Sequence, residues 1–266
     1  MNDNFEQLGF AIVPRVLNAG EQRELLATLG PASSAGRRGL LALPAVTEIA
    51  RSPRLLALVR PHLPSEPLPV RAIYFDKSPE TNWLVPWHQD LSLALRARAE
   101  VPGFGPWSTK DGIPHVQPPA ELLQQMLTVR LHLDDADESN GALRVLPGSH
   151  RFGRLSAQRI QQRRTEQSDL FCTVAAGDAL LMRPLLLHAS SRSTSARHRR
   201  VLHIEYAGFT LPDELNWHEA AQLQSNVAEP MRCGELPQSL SLVRKATEHA
   251  TRLHDQDGHL PCSATA

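Results

Sequence analysis

From residue 70 onward the sequence breaks into short strand-prone runs, near 70–77, 84–90, 125–133, 142–146, 170–174, 179–187 and 200–209, separated by turn-forming residues. Runs of that length and spacing specify a barrel or a sandwich of antiparallel strands. Upstream the texture differs. Residues 8–16 form one strand-prone run, and Asn18 with Glu21 has the spacing of a capping box, opening a helix that stops near Gly30. Ser52 followed by Pro53 starts a second helix, which Pro61 ends, and the proline-rich stretch 61–69 is a connector. The expected fold class is mainly β with flanking helices. With 266 residues and 41% hydrophobic content the chain supplies one substantial core, so a single domain over 1–266 is expected.

Two stretches interrupt the β region. Residues 96–124, rich in proline and glycine and carrying Trp107, are long enough to form a lid or substrate loop. Residues 156–169, dense in glutamine and arginine, read as a solvated helix or loop. After about residue 212 comes a C-terminal extension with no readable pattern.

Lysine and arginine total 28 against 28 acidic residues, so no global field draws the chain to a phosphate backbone or an anionic membrane. Nucleic acid is not an expected partner. Asp3 and Glu6 stand where a secretion signal would be basic, and no run approaches the ~20 apolar residues of a membrane span, so neither secretion nor membrane insertion is expected. Cys172, Cys233 and Cys262 lack the paired spacing of a zinc site or a disulfide framework, which points to a reducing cytoplasm. A small molecule is the expected partner, and no feature specifies an oligomeric state.

In the run 126–133, Leu127, Val129, Leu131 and Leu133 alternate with Met126, Thr128, Arg130 and His132. That polar face is either solvent-exposed or, in a small barrel, the lining of a ligand cavity. His88 and Asp90 are two positions apart, so on a strand both project from one face and can reach one metal ion. A third ligand has to come from elsewhere in the chain. His188 is the best placed, because it ends the apolar run 179–187. Two histidines and a carboxylate make the facial triad of non-haem iron(II) oxygenases, which leaves open positions for co-substrate and dioxygen.

The order of motifs resembles the phytanoyl-CoA dioxygenase family of iron(II)/2-oxoglutarate enzymes from about residue 8 to about residue 209. The resemblance is carried by Gly9-Phe-Ala-Ile-Val-Pro14, Trp87-His-Gln-Asp90, Leu131-His-Leu-Asp-Asp135, the segment Glu138 to His150, Ala176-Gly-Asp-Ala-Leu180, and His188 with Arg199 eleven positions later. It implies a double-stranded β-helix, a distorted cupin-like jelly roll with helices on one face. It assigns His88, Asp90 and His188 to iron(II), and Arg199 to the distal carboxylate of 2-oxoglutarate, which a guanidinium fork pairs through two charge-assisted hydrogen bonds. The implied reaction consumes 2-oxoglutarate and O2, releases succinate and CO2, and hydroxylates an unactivated carbon of a small molecule. Asp90 favours hydroxylation over halogenation, since related halogenases carry a small residue in its place.

Arg192, Arg197, His198 and Arg200 crowd the anchor, and Arg197 is its alternative. If Arg199 starts a strand it shares a face with Val201, His203 and Glu205, while Arg200 points the other way. Ser190 matches a position whose hydroxyl bonds the co-substrate. Gln89, between two ligands, is expected to face outward, although the family also uses this position near the co-substrate. Arg130 stands where the family often has an aromatic residue, so Thr128 or Arg130 is a candidate for a second polar contact. His150 reads as a turn residue rather than a ligand. His115, His132 and His203 stay open between core, surface and substrate contact, as Trp83, Trp87 and Trp107 do between a substrate wall and ordinary packing. A non-catalytic cupin-like metal- or ligand-binding protein is the rival reading and predicts a damaged triad or a missing anchor; a zinc isomerase or hydrolase would not call for Arg199.

Overall fold

Asn18 Oδ1 accepts from the backbone N–H groups of Gly20 and Glu21 at 2.8 and 3.0 Å, and the Glu21 carboxylate accepts from the Asn18 N–H at 2.8 Å. The capping box therefore closes as its spacing predicts. The computed structural model describes residues 2–31 and 36–220. In chain order the elements are α1 (Asn2–Leu8), β1 (Phe10–Val13), α2 (Ala19–Leu29), α3 (Pro44–Ala50), α4 (Pro53–Val59), β2 (Leu68–Lys77), β3 (Val85–His88), β4 (Leu93–Ala94), β5 (Trp107–Lys110), β6 (Ile113–Val116), α5 (Ala120–Gln124), β7 (Met126–His132), β8 (Leu143–Val145), α6 (Ala157–Glu166), β9 (Leu170–Phe171), β10 (Ala179–Met182), β11 (His188–Ser190) and β12 (Arg199–Ala207).

A five-stranded sheet has the order β1-β10-β7-β12-β2 and a four-stranded sheet the order β3-β11-β8-β9, with every pair antiparallel. The period of two along each strand sorts its side chains. Leu127, Val129 and Leu131 of β7, with Leu202, Ile204 and Tyr206 of β12, pack under the N-terminal helices through Leu25, Leu29, Val46 and Leu55. On the other face Leu180 and Met182 meet Leu143 and Val145 of the smaller sheet. The result is a double-stranded β-helix with helices on one face.

The run 179–187, expected as one strand, is two. β10 ends at Met182, the backbone turns through Arg183 and Pro184 with Leu186 N–H on Arg183 C=O at 3.0 Å, and β11 begins at His188 in the other sheet. Proline cannot donate to a ladder, so the break falls there. The corner is tied down by Arg183, whose guanidinium reaches the Glu6 carboxylate at 2.7 and 3.0 Å and the carbonyls of His62 and Gln124. Glu6 lies on α1, a helix upstream of the strand-prone run 8–16, within which β1 forms.

The insertion 96–124 is folded. Its strands β5 and β6 pair with β4 in a third sheet, order β4-β6-β5, followed by α5. Residues beyond β12 return to that sheet, with Arg96 N–H on Asn216 C=O at 2.9 Å and His218 N–H on Ala94 C=O at 3.1 Å. Glu219 then accepts from the N–H groups of Leu41 and Ala72 at 3.0 and 3.2 Å, covering part of the open edge of β2. The stretch 156–169 is the exposed helix α6 with its flanks. Most of the expected C-terminal extension lies outside the described residues, as do Cys233 and Cys262. No helix of the described residues is long and apolar enough to cross a membrane.

Candidate metal centre

β3 and β11 are neighbours in the smaller sheet, and their register sets His88 directly opposite His188. Asp90 follows two residues after His88, with its backbone N–H on Pro184 C=O at 2.9 Å. One ligand atom from each of His88, Asp90 and His188 lies within 4.8 Å of the others, a set that can hold a metal ion. The three positions read from the sequence converge.

The imidazoles are turned for that purpose. His88 Nδ1 sits 2.9 Å from Pro86 C=O and His188 Nδ1 2.8 Å from Leu186 C=O, so each Nδ1 carries the proton and each Nε2 is left with a free lone pair. Both Nε2 atoms lie 3.7 Å from Asp90 carboxylate oxygens. Burial pushes the His188 imidazole down to about 4, against the pull of Asp90. Burial acts to raise Asp90, but His188, His203, His88 and Arg71 around it outweigh burial and hold it below the ordinary carboxylate range. Neutral imidazole and ionised carboxylate are the forms a divalent metal requires. Asp90 Oδ2 is buried and has no hydrogen-bond donor among the described residues. A cation in the site satisfies that oxygen, so these residues fit a metal.

The triad opens into a cavity of about 140 Å3, also lined by Phe75, Trp83, Arg130, Ser190, Arg199 and His203. Arg199 begins β12 on the face of Val201, His203 and Glu205, and is 2% exposed. Arg200 points the other way, onto both oxygens of Asp134 at 2.7 Å. Arg197, the alternative anchor, is exposed and paired with Asp137 at 2.6 Å. Arg199 Nε and Nη1 are buried without an acceptor among the described residues, and burial followed by the Arg130 charge lowers its guanidinium to about 9. Among the described residues no carboxylate pairs with this buried guanidinium, whose fork is the donor geometry that matches a planar carboxylate.

Other expected contacts divide. Ser190 lines the cavity, but its hydroxyl donates to Gly141 C=O at 2.8 Å and accepts from Lys77 Nζ at 2.8 Å. Gln89 faces away, as expected for a residue between two ligands. Its amide donates to Gly153 and Leu185 C=O and accepts from Leu155 N–H, which removes it from co-substrate binding and makes it a brace of the cavity wall. Thr128 is buried one side-chain row beyond Arg130 and is not among the residues lining the cavity. His150 packs on Gly9 beside Glu6, in a short 3-10 turn, as its turn reading predicts. Trp83 forms part of the cavity wall, whereas Trp87 is stacked with Arg144 and Arg164, and Trp107 packs in the third sheet. Lys77 was not anticipated.

A family model described as phytanoyl-CoA dioxygenase (PhyH) matches residues 5–201. No curated protein matches the chain. Among solved structures, AviO1 from Streptomyces viridochromogenes superposes with a TM-score of 0.58 at 21% identity, over 79% of this chain and 94% of its own. HygX from Streptomyces hygroscopicus, solved with nickel and 2-oxoglutarate bound, has a TM-score of 0.56 at 20% identity, over 80% of this chain and 89% of its own. A further structure of HygX also holds hygromycin B. EctD from S. alaskensis, in its apoform, has a TM-score of 0.59 at 18% identity, over 77% of this chain and 75% of its own. These likenesses establish a shared fold.

Proposed function

Since the chain belongs to the phytanoyl-CoA dioxygenase family, we propose that it is an iron(II)- and 2-oxoglutarate-dependent oxygenase that hydroxylates an unactivated carbon of a small molecule. His88, Asp90 and His188 hold the iron, and Arg199 anchors the distal carboxylate of 2-oxoglutarate. The observation that carries this reading is the pairing of an intact triad with a buried, anion-free guanidinium in one cavity. The non-catalytic barrel predicts the loss of one or the other, and a zinc hydrolase has no use for the second.

The bound metal and co-substrate together supply the oxidising chemistry, with succinate and CO2 released. The chain supplies geometry. His88, Asp90 and His188 would hold the metal, the imidazoles being turned so that each Nε2 is free to do so. Asp90 would be the third protein ligand, and its presence at that position favours hydroxylation over halogenation. Arg199 sets the direction of the diacid, and Phe75, Trp83, Val85 and Leu143 keep water from the cavity walls. A small-molecule substrate suits a cavity of this size, and the lack of paired cysteines supports a cytoplasmic setting. The insertion 96–124, which builds most of the third sheet, is the proposed substrate-side cover of the domain.

The test is turnover without added substrate. Iron-loaded protein with ascorbate, 2-oxoglutarate and O2 is expected to form succinate slowly, and His188→Ala to form none. Tight iron binding with no succinate and no binding of 2-oxoglutarate would move the assignment to the non-catalytic barrel.

A further inference from the structure

Three cations that neither the metal nor the co-substrate claims gather between the barrel and the third sheet. Cross-strand partners share a face, so Leu93, Trp107 and Val116 lie on one side of that sheet, in an apolar cluster with Val70 and Met126. Ala94, Ser108 and His115 lie on the other, joined by Lys110, which is paired with Ile113 two positions from His115. The Lys110 amine donates to Ser92 Oγ at 3.2 Å, two residues along the chain from Asp90.

The barrel brings two arginines to this face. Arg71 belongs to the inner row of β2 with Ile73 and Phe75, and its Nη1 donates to Glu205 Oε1 at 3.1 Å. The same oxygen lies 3.4 Å from Nε2 of His203, a residue of the metal cavity. Arg37 bridges the edge of β2 at Tyr74 through two backbone hydrogen bonds of 2.9 and 2.8 Å, and its guanidinium lies over the Tyr74 ring on the outer side. Arg38 therefore falls on the inner side, where it pairs with Asp111 in the turn between β5 and β6. Burial, followed by the Arg71 and Arg38 charges, lowers the Lys110 amine, while Asp90 and Glu205 pull it back up. The three cations and the metal-binding carboxylate thus share one neighbourhood.

Their charges are unevenly matched. Arg71 has Glu205 and Arg38 has the exposed Asp111, whereas Lys110 pairs with no carboxylate among the described residues. Beside them His115 is fully buried. Its Nδ1 lies 2.9 Å from Ile113 C=O, so Nδ1 holds the proton, and Nε2 carries a lone pair that meets no donor among the described residues. Burial pushes this imidazole down to about 4 against the pull of the Ile113 carbonyl, and the charges of Arg71, Lys110 and Arg38 act in the same direction as burial. His115 is therefore a neutral acceptor, and a buried acceptor is costly unless a donor meets it. Three neighbouring cations repel an ammonium donor and tolerate a hydroxyl.

We infer that the substrate is a hydroxylated oxyanion, a carboxylate or a phosphate ester, whose charge is taken by Lys110 and Arg71 and whose hydroxyl donates to His115 Nε2. The inference rests on the oxygenase reading above and names its substrate class.

Glucose, glucuronate and glucose 6-phosphate share a hydroxylated ring and differ in charge, and cyclohexanecarboxylate keeps the charge without the hydroxyls. Each is titrated calorimetrically into protein loaded with iron(II) and 2-oxoglutarate under argon, where Arg199 is engaged and no turnover occurs. At least one sugar anion is expected to bind about tenfold or more tightly than glucose, and the better of the two tells a carboxylate from a phosphate. Lys110→Met and Arg71→Met are each expected to weaken that anion about tenfold and leave glucose and 2-oxoglutarate unchanged. His115→Leu is expected to weaken the preferred sugar anion severalfold and leave cyclohexanecarboxylate unchanged. Lys110→Met spares the buried pair of Arg71 and Glu205, so it decides the matter even where Arg71→Met does not fold. No preference for either anion over glucose, or a preference that survives Lys110→Met, overturns the inference, while 2-oxoglutarate binding in the same samples keeps the oxygenase reading intact. Failure of the iron-loaded wild type to bind 2-oxoglutarate overturns both.

Discussion

Lys77 Nζ donates to Ser190 Oγ at 2.8 Å, joining the last residue of β2 to the strand that carries the distal histidine. The same amine reaches Ser191 C=O at 2.6 Å, and Ser190 donates onward to Gly141 C=O. Lys77 is fully buried, is the cross-strand partner of Arg199, and pairs with no carboxylate among the described residues. It holds Ser190 from behind, so that the hydroxyl stays at the cavity wall. Burial, helped by Arg199, Arg130 and Arg192, pushes the amine down to about 7.

A pH dependence follows from that value. The unfolded lysine keeps its proton up to about 10.5 and the buried one to about 7, so between these values the unfolded state binds more protons and stability rises with pH. The cost of burying the charge is fully present below pH 7 and relieved toward pH 10. In metal-free protein, the melting temperature of wild type minus that of Lys77→Met should therefore increase from pH 6.5 to pH 9. A flat or falling difference would show that Lys77 is not a depressed, buried amine.

Gly141 is a second test of the same junction. Its φ is +74°, and a Cβ there would meet Ser191 O at 2.5 Å and Lys77 Nζ at 3.1 Å. Gly141→Ala should destabilise the fold by about 1–2 kcal/mol from the left-handed backbone alone. Because it also displaces Ser191 or Lys77, it should weaken 2-oxoglutarate binding as well. Chemical denaturation and ligand titration measure the two effects; full stability and full affinity would contradict the arrangement.

Local signals were the legible part of the fold and site. Asn18 with Glu21 closes a box within one turn, and His88 with Asp90 share a strand face by period alone, so both could be read from spacing. The inward direction of Arg199 and the outward direction of Arg200 came from the same period. Lys77 could not be found this way, because a lysine at the end of a strand ordinarily reaches solvent. Its burial comes from pairing with Arg199, far along the chain. The polar face of 126–133 stayed ambiguous for a similar reason, since solvent and cavity give one pattern and only the facing sheet decides. The apolar run 179–187 hid a corner, because Arg183 reads as an interruption until Glu6 and the carbonyls that hold it are in place.

That corner yields a prediction away from the chemistry. Arg183 is 8% exposed and depends on the half-exposed Glu6 carboxylate for its charge partner. Glu6→Ala leaves the guanidinium with carbonyl acceptors only, and should lower stability by about 1–3 kcal/mol. Affinity for iron and 2-oxoglutarate in the folded protein should not change. A variant as stable as the wild type would show that α1 is not what secures the turn between the sheets.

In the proposed centre, His88, Asp90 and His188 present iron(II) to a 2-oxoacid whose far end is held by Arg199. It is tested most directly by anaerobic titration of the metal-free protein with iron(II) and then 2-oxoglutarate, followed through the weak visible charge-transfer absorption of the chelate. Wild type should develop the band at stoichiometric iron, and Arg199→Ala should require at least about tenfold more 2-oxoglutarate to reach it. Iron binding without any band in the wild type would contradict this arrangement.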